Sequence, residues 1–211
     1  MVGDNTENLE QIFNLLNQAG KLKTTLRFSE LDENSLRDSS AEHSWRLALM
    51  VFVVADKLKL AINVEHALKL AIIHDIAESI TGDVDSRLVY DGKITKEEKK
   101  KAEEKAIKEI SKLFYGKEIF DLWKEYEESS TKESRYIKAL DKIETLIHLI
   151  EMGMKIGPKV YDIPEMITHY ADKSVNNFPE LTSMLKIVKN KLKKEFQKNN
   201  IPWKEEYDKL I

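Results

Sequence analysis

Apolar residues recur every three to four positions along most of the chain, which is the spacing of an amphipathic α-helix. Segments such as LEQIFNLLNQ and KAEEKAIKEI show this spacing clearly. No stretch alternates apolar and polar residues for long enough to predict a strand. The pattern predicts helices, and therefore an all-α fold, over residues 6–20, 41–60, 64–80, 95–115, 117–129, 132–155, 163–171 and 179–199.

Residues suited to helix ends flank several of these segments. Asn63 is placed to cap the third predicted helix, and Thr95 with Glu98 fits a capping box. Gly116 separates two predicted helices. By contrast, residues 21–40 show no period and are rich in Ser, Asp and Thr, which predicts a long loop. Long ordered loops often carry functional residues.

The composition narrows the classes of protein to consider. At 211 residues, 42% of them hydrophobic, the chain is long enough for one domain over residues 1–211 with a sizeable core. It has no cysteine, which excludes disulfides, thiolate metal sites and thiol nucleophiles and agrees with a reducing compartment. The net charge of -3 lacks the basic excess of nucleic-acid-binding proteins, so we expect no nucleic acid polymer as a partner.

The apolar and charged residues also bear on location. The segment MVGDNTENLEQ is polar and acidic, without the basic and then apolar order of a secretory signal. The longest apolar run, LALMVFVVA at 47–55, is too short to span a bilayer. We therefore expect a cytoplasmic protein with no membrane partner.

The stretch HDIAESITGD, at 74–83, places polar residues at the end of an apolar helix. On a continuous helix, His74 and Glu78 share a face, and Asp75 lies about 100° from His74 and still reaches the same point. A buried carboxylate beside an imidazole is costly unless something pairs with both. One small cation would satisfy them, although a His-Asp pair alone also arises by chance.

Two further polar residues lie in otherwise apolar helices. His43 is near the start of the helix predicted over 41–60, and Asp141 is flanked by Ala139 and Leu140. Taken singly, His43 is explained as a hydrogen-bonded core histidine and Asp141 as a partner of Lys142 or Arg135. Taken together with the His74–Asp75 pair, they favour one shared site.

In this order, His43, the pair His74–Asp75 and the distant Asp141 resemble the pattern of HD-domain metal-dependent phosphohydrolases, over about residues 22–145. The motifs HDIAESITGD and AEHSW are similar to those of the small 5'-deoxynucleotidase branch. The resemblance implies an HD-domain helical bundle in which these four residues bind one divalent metal ion.

The resemblance also bears on the remaining chain and on assembly. It implies a homodimer by analogy with the 5'-deoxynucleotidase branch. Residues 146–211 match nothing diagnostic, and they would complete the core or form an oligomer contact.

The types of the expected ligands indicate which metal ions could bind, and the remaining carboxylate is a candidate base. Two imidazoles and two carboxylates suit one octahedral ion such as Co, Mn, Ni or Fe(II), and Zn if the coordination contracts. Glu78, which is surplus to the ligand count, is expected to act as the general base or to orient the water. The alternative role for Glu78 is to hydrogen-bond to a ligand.

Three more residues have expected roles by resemblance. Arg27 lies where the branch has a phosphate-binding arginine, and a guanidinium donates two parallel hydrogen bonds to a phosphate. Phe28 occupies the position of the aromatic residue that packs against the sugar, where we would expect Trp. This departure leaves the preference for deoxyribose over ribose open. Asp83 would contact the sugar hydroxyl or hold the water network, or simply cap a turn.

The expected function is therefore hydrolysis of (deoxy)ribonucleoside 5'-monophosphates, as small-molecule substrates, to nucleoside and phosphate. No histidine lies between Asp75 and Asp141, which argues against a dinuclear phosphodiesterase. Ser79 follows Glu78 where alarmone hydrolases have Asp after Glu. Two alternatives stay open: another HD phosphohydrolase, acting on an alarmone or a different phosphate ester, and a metal- or nucleotide-binding regulatory module without turnover.

Overall fold

The computed structural model describes residues 5–29, 37–113, 115–153 and 164–210. These residues form α-helices with an isolated antiparallel bridge between Leu26 and Ser39, and no longer strand occurs among them, so the all-α prediction is confirmed. The helices are α1 Asn5–Gly20, α2 Ser40–Leu58, α3 Val64–Ile73, α4 Glu78–Thr81, α5 Ser86–Tyr90, α6 Lys96–Ile110, α7 Gly116–Glu128, α8 Lys132–Glu151, α9 Pro164–His169, α10 Asp172–Asn176 and α11 Thr182–Lys198. Short 3-10 turns cover Lys21–Lys23, Pro179–Leu181 and Glu205–Asp208.

The predicted caps are present. The side chain of Asn63 accepts a hydrogen bond from the backbone N–H of His66 at 3.1 Å, which is the N-cap geometry expected for α3. Thr95 and Glu98 bond reciprocally as a capping box at the start of α6. Both predictions from the sequence are confirmed.

The prediction of one continuous helix over residues 64–80 is wrong. This segment divides into α3 and α4, with a tight turn at residues 74–77. The backbone N–H of Ile76 bonds to the carbonyl of Ile73 at 3.0 Å, so the hydrogen bonds reach back three residues instead of four. His74 and Glu78 are therefore not placed by one α-helical face.

Two other predictions from the pattern need correction. The helix predicted over 95–115 ends at Ile110, and Gly116 begins α7 instead of separating two long helices. A side chain at Gly116 would place its Cβ 2.0 Å from the carbonyl oxygen of Ser111, so only glycine fits there. Helices α5 and α10 were not predicted, because five residues are too few to show a period.

The described residues divide into two compact units, the first drawn from residues 1–30, 37–45 and 69–128 and the second chiefly from 46–68 and 129–211. In the first unit, α4 packs against α1 and α6, and α6 packs against α7. Its buried core comprises Ile76, Ile107, Ile110, Ile119 and Trp123. This core supports the turn that carries His74 and Asp75.

In the second unit, α11 packs along α8. The apolar face of α11 contributes the buried residues Leu185, Val188, Leu192 and Phe196. The hydroxyl of Tyr136 on α8 donates to the carbonyl of Val51 at 2.8 Å, so α2 is tied to α8 within this unit. Among the described residues, no helix is long and apolar enough to cross a membrane.

Candidate functional site

Helix α2 begins with a capping box that the sequence analysis did not identify. The hydroxyl of Ser39 accepts from the backbone N–H of Glu42 at 3.2 Å, and the Glu42 carboxylate accepts from the backbone N–H of Ser39 at 2.8 Å. This arrangement satisfies two of the free N–H groups of the first turn. It fixes the turn that carries Ser40 and leads into His43.

The loop segment that carries Arg27 is hydrogen-bonded to the entry of α2. The backbone N–H of Arg27 donates to the carbonyl of Asp38 at 2.9 Å, and the N–H of Ser40 donates to the carbonyl of Thr25 at 2.9 Å. Part of the loop predicted over 21–40 is therefore ordered by this pairing, while residues 30–36 lie outside the described residues. The pairing brings Arg27 to the start of α2.

His43 and His74 face each other in the first unit. Their Nε2 atoms are 3.3 Å apart, and both side chains are buried. Nδ1 of His74 lies 2.9 Å from the carbonyl oxygen of Ala71, which only accepts, so Nδ1 carries the proton. In the neutral ring, the lone pair is then on Nε2, ready to bind a cation.

Asp75 completes a three-residue group with these histidines. Its Oδ2 is 3.0 Å from Nε2 of His74 and 3.8 Å from Nε2 of His43. Two imidazole nitrogens and one carboxylate oxygen within 3.8 Å of one another form a donor set that fits a divalent metal ion. His74 is further held by an edge contact with the ring of Tyr126, at 5.1 Å between centroids.

Glu78 lies buried one turn beyond Asp75. Its Oε2 accepts a hydrogen bond from the Ser40 hydroxyl at 2.6 Å. Burial raises the pKa of the Glu78 carboxyl well above its usual value, and the charges of Asp75 and Asp83 raise it further. The Ser40 hydrogen bond and the Lys99 ammonium act in the opposite direction.

Arg27 and Phe28, which the sequence predicted to bind the nucleotide, have neighbouring side chains. The buried guanidinium of Arg27 is 3.3 Å from Oδ2 of Asp38 and 5.3 Å from the centroid of the Phe28 ring. Phe28 has a φ of 58°, which is uncommon for a bulky residue and shows that its backbone is constrained by its surroundings.

Asp83 follows a turn that requires glycine. Gly82 ends α4 with a φ of 72°, a conformation that glycine adopts without strain. Burial raises the pKa of the Asp83 carboxyl, whereas the positive charges of Arg27 and Lys99 lower it. The positive charges of Arg27 and Lys99, both in the first unit, therefore act on the Asp83 carboxyl.

Asp141 belongs to α8 in the second unit and is buried. Its Oδ2 is 2.9 Å from the ammonium of Lys142, so the ion pair that the sequence offered as an alternative is present. The role of Asp141 as a metal ligand stays a prediction from the sequence pattern.

No role near the site was predicted from the sequence for Ser40, Asp38 or Lys99. A signal existed for Ser40, because SSAE directly before His43 fits the Ser-x-x-Glu pattern of a capping box. Lys99 lies in a run of mixed charges and carried no such signal.

Comparison with known proteins agrees with the predicted resemblance. A family model described as HD domain matches residues 19–182. The 5'-deoxynucleotidase HDDC2 of Homo sapiens is 34% identical over 144 residues, covering 66% of this chain and 67% of that protein. The protein of the same name from Dictyostelium discoideum is 38% identical over 142 residues, covering 63% of this chain and 72% of that protein.

Solved structures give the same result. A crystal structure described as a predicted metal-dependent phosphohydrolase, from Magnetospirillum magnetotacticum, has a TM-score of 0.73 and 25% identity, covering 96% of this chain and 100% of that one. A conserved hypothetical protein from Pyrococcus furiosus has a TM-score of 0.66 and 27% identity, covering 84% of this chain and 99% of that one. The family match spans most of the chain, and the chain therefore belongs to the HD-domain family.

Proposed function

We propose that this chain is a metal-dependent 5'-deoxynucleotidase, an enzyme that hydrolyses nucleoside 5'-monophosphates to nucleoside and inorganic phosphate. The observation that carries the proposal is the group of His43, His74 and Asp75 beside the buried carboxyl of Glu78. The substrate class comes from the relatives named 5'-deoxynucleotidase at 34% and 38% identity.

The metal would be held by His43, His74 and Asp75, with Asp141 as the fourth ligand on the evidence of the sequence pattern. This mixed nitrogen and oxygen set suits one ion of Co, Mn, Ni, Fe(II) or Zn. When bound, a divalent ion polarises a phosphate P–O bond and lowers the pKa of water.

Glu78 is suited to accept the proton of the attacking water. A general base works best when its pKa lies near the working pH, and burial raises the pKa of Glu78 from its low ordinary value. Glu78 is also surplus to the expected ligands, so its carboxylate stays available for this proton transfer.

Arg27, Phe28 and Asp83 would bind the nucleotide. The planar guanidinium of Arg27 donates parallel hydrogen bonds to phosphate oxygens, a geometry that lysine does not offer. Phe28, whose ring lies beside that guanidinium, would pack against the sugar. Asp83 would accept a hydrogen bond from the sugar hydroxyl or hold the water network.

The proposed assembly is a homodimer, and the proposed location is the cytoplasm. The first rests on analogy within the family, and the second rests on a sequence without cysteine, which agrees with a reducing compartment.

The direct test is phosphate release from deoxyribo- and ribonucleoside 5'-monophosphates with Co, Mn or Mg and with a chelator. We expect metal-dependent release that favours the deoxy series and stops with chelator. Glu78→Gln should lower kcat by about 100-fold or more, because a positioned general base contributes about that much. Glu97→Gln, an exposed change on α6, is the matched control and should behave as the native protein.

Metal content of the same preparations separates the alternatives. His43→Ala and Asp141→Ala should lose bound metal, whereas His66→Ala should keep it. Full metal content in Asp141→Ala would show that Asp141 is not a ligand. Bound metal without release from any nucleotide would contradict the nucleotidase proposal and favour a different phosphate ester or a binding module.

A further inference from the structure

The hydrogen bond between Ser40 and Glu78 is short and buried. The Ser40 hydroxyl is 2.6 Å from Oε2 of Glu78, and the two residues are 0% and 5% exposed. Distances of about 2.5–2.7 Å are typical of a hydroxyl donating to a charged carboxylate. With so little exposure, bulk water competes only weakly for the bond between them.

The single hydroxyl proton of Ser40 has one good acceptor. The carbonyl oxygen of Thr25 lies 3.4 Å from the hydroxyl, which is too long for a strong O–H···O bond. A serine hydroxyl donates only one hydrogen bond at a time. The proton is therefore directed to Glu78.

The backbone of Ser40 is held from two directions. The capping box of Ser39 and Glu42 fixes the first turn of α2, and the backbone N–H of Ser40 bonds to Thr25 at 2.9 Å. Because the backbone is fixed, the hydroxyl can move only by rotation about the Cα–Cβ bond. Ser40 is therefore a well-placed donor. The same helix carries His43 three residues later.

A buried carboxylate depends on the hydrogen-bond donors around it. The Ser40 hydroxyl supplies a 2.6 Å hydrogen bond to Oε2 of Glu78 within the first unit. Its loss would leave a buried carboxylate with a poorer set of partners.

We infer that Ser40 is a positioning residue for hydrolysis, whose hydroxyl fixes Oε2 of Glu78 and so directs the other carboxylate oxygen to the attacking water. The inference rests on the proposed function, because it assigns a partner to the proposed base. Ser40 itself touches neither substrate nor metal in this role.

The test compares Ser40→Ala, which removes the donor, with Ser40→Thr, which keeps it. Ser44→Ala is the matched control, because Ser44 is a buried serine one turn along the same helix whose hydroxyl has no hydrogen-bond partner among the described residues. We expect Ser40→Ala to lower kcat by about tenfold or more with KM changed less than twofold. Ser40→Thr should recover most of the rate, and Ser44→Ala should match the native protein.

A double substitution gives a readout that a general loss of stability would not move. In a Glu78→Gln background, Ser40→Ala should change the residual rate less than twofold, since it acts through Glu78.

Native kcat in Ser40→Ala would overturn the inference while leaving the nucleotidase proposal intact. So would an equal, additive loss in the Glu78→Gln background. If Ser40→Ala unfolds, Ser40→Gly removes the same donor and must give the same fall in kcat with KM little changed. If the native protein releases no phosphate with any metal, that result would instead contradict the proposed function.

Discussion

Glu103 on α6 is a carboxyl group whose titration falls near neutral pH. Burial raises its pKa to about 7, and the negative charges of Glu127 and Asp75 add to this effect. Lys99, whose ammonium is 3.6 Å from Oε1 of Glu103, opposes it. In the unfolded chain the same carboxyl has its ordinary pKa of about 4.3.

This difference predicts a pH dependence of stability. Between about pH 4.3 and 7 the folded chain holds a proton on Glu103 that the unfolded chain has lost, so stability falls as pH rises through this window. Glu103→Gln should remove this fall, amounting to about 1–3 kcal/mol between pH 5 and 8. Urea unfolding at both pH values, in chelator, measures it, with Glu97→Gln as the control. An unchanged pH dependence in Glu103→Gln would contradict the prediction.

At the residue scale, the sequence was most informative where polar residues interrupt apolar segments. His43, His74 and Asp75 stood out for that reason, because a buried charge or imidazole needs a partner. Lys99 and Asp38 did not stand out, because they lie in polar segments where most charged residues are solvated. Their importance depends on which groups the fold places beside them.

At the element scale, long helices with caps were predicted well and short connecting turns were not. The caps at Asn63 and Thr95 are local in sequence, so they are readable from it. The break at residues 74–77 depends on whether each N–H reaches three or four residues back, and tertiary packing decides that. His74 and Asp75 sit on this break.

Helices α2 and α8 are joined in the second unit by Arg46. Its Nε is 2.6 Å from Oε1 of Glu144, and its guanidinium also pairs with Glu151. Because Glu144 is fully buried, Arg46→Gln would leave a buried carboxylate without its guanidinium partner. We expect a loss of about 2–3 kcal/mol in the free energy of unfolding.

Chemical unfolding of Arg46→Gln measures this cost. The control is Lys117→Gln, which breaks an exposed pair with Asp121 and should change stability by less than about 0.5 kcal/mol. Equal effects of the two substitutions would show that the Arg46 pair adds no more than a surface pair.

At the scale of the whole molecule, the two units contain different groups of polar residues. The first carries every expected site residue except Asp141. The second contains a buried network in which the ammonium of Lys189 lies 2.8 Å from Asp172 and donates to the carbonyl oxygens of Tyr207 and Lys209 at 3.2 and 3.0 Å. His169 contacts the same Asp172 carboxylate at 2.7 Å.

This network predicts how the C-terminal segment is held. Lys189→Met removes the donor to both carbonyls and leaves Asp172 without its ammonium, so residues after 199 should become more accessible to protease. Limited proteolysis with mass mapping checks this, and Lys191→Met, at an exposed position on α11, should be cleaved like the native protein. Equal cleavage of both variants would show that Lys189 does not hold this segment.

The buried network around Lys189 extends beyond the residues that match the family model. The family match ends at residue 182, where α11 begins, yet α11 supplies Lys189 and an apolar face packed on α8. A chain shortened to the matched region would expose that face of α8 and take the Lys189 ammonium away from the Asp172 carboxylate. Domain boundaries drawn from the family match alone would therefore yield an unstable fragment, and truncations of this protein should keep the residues beyond 182.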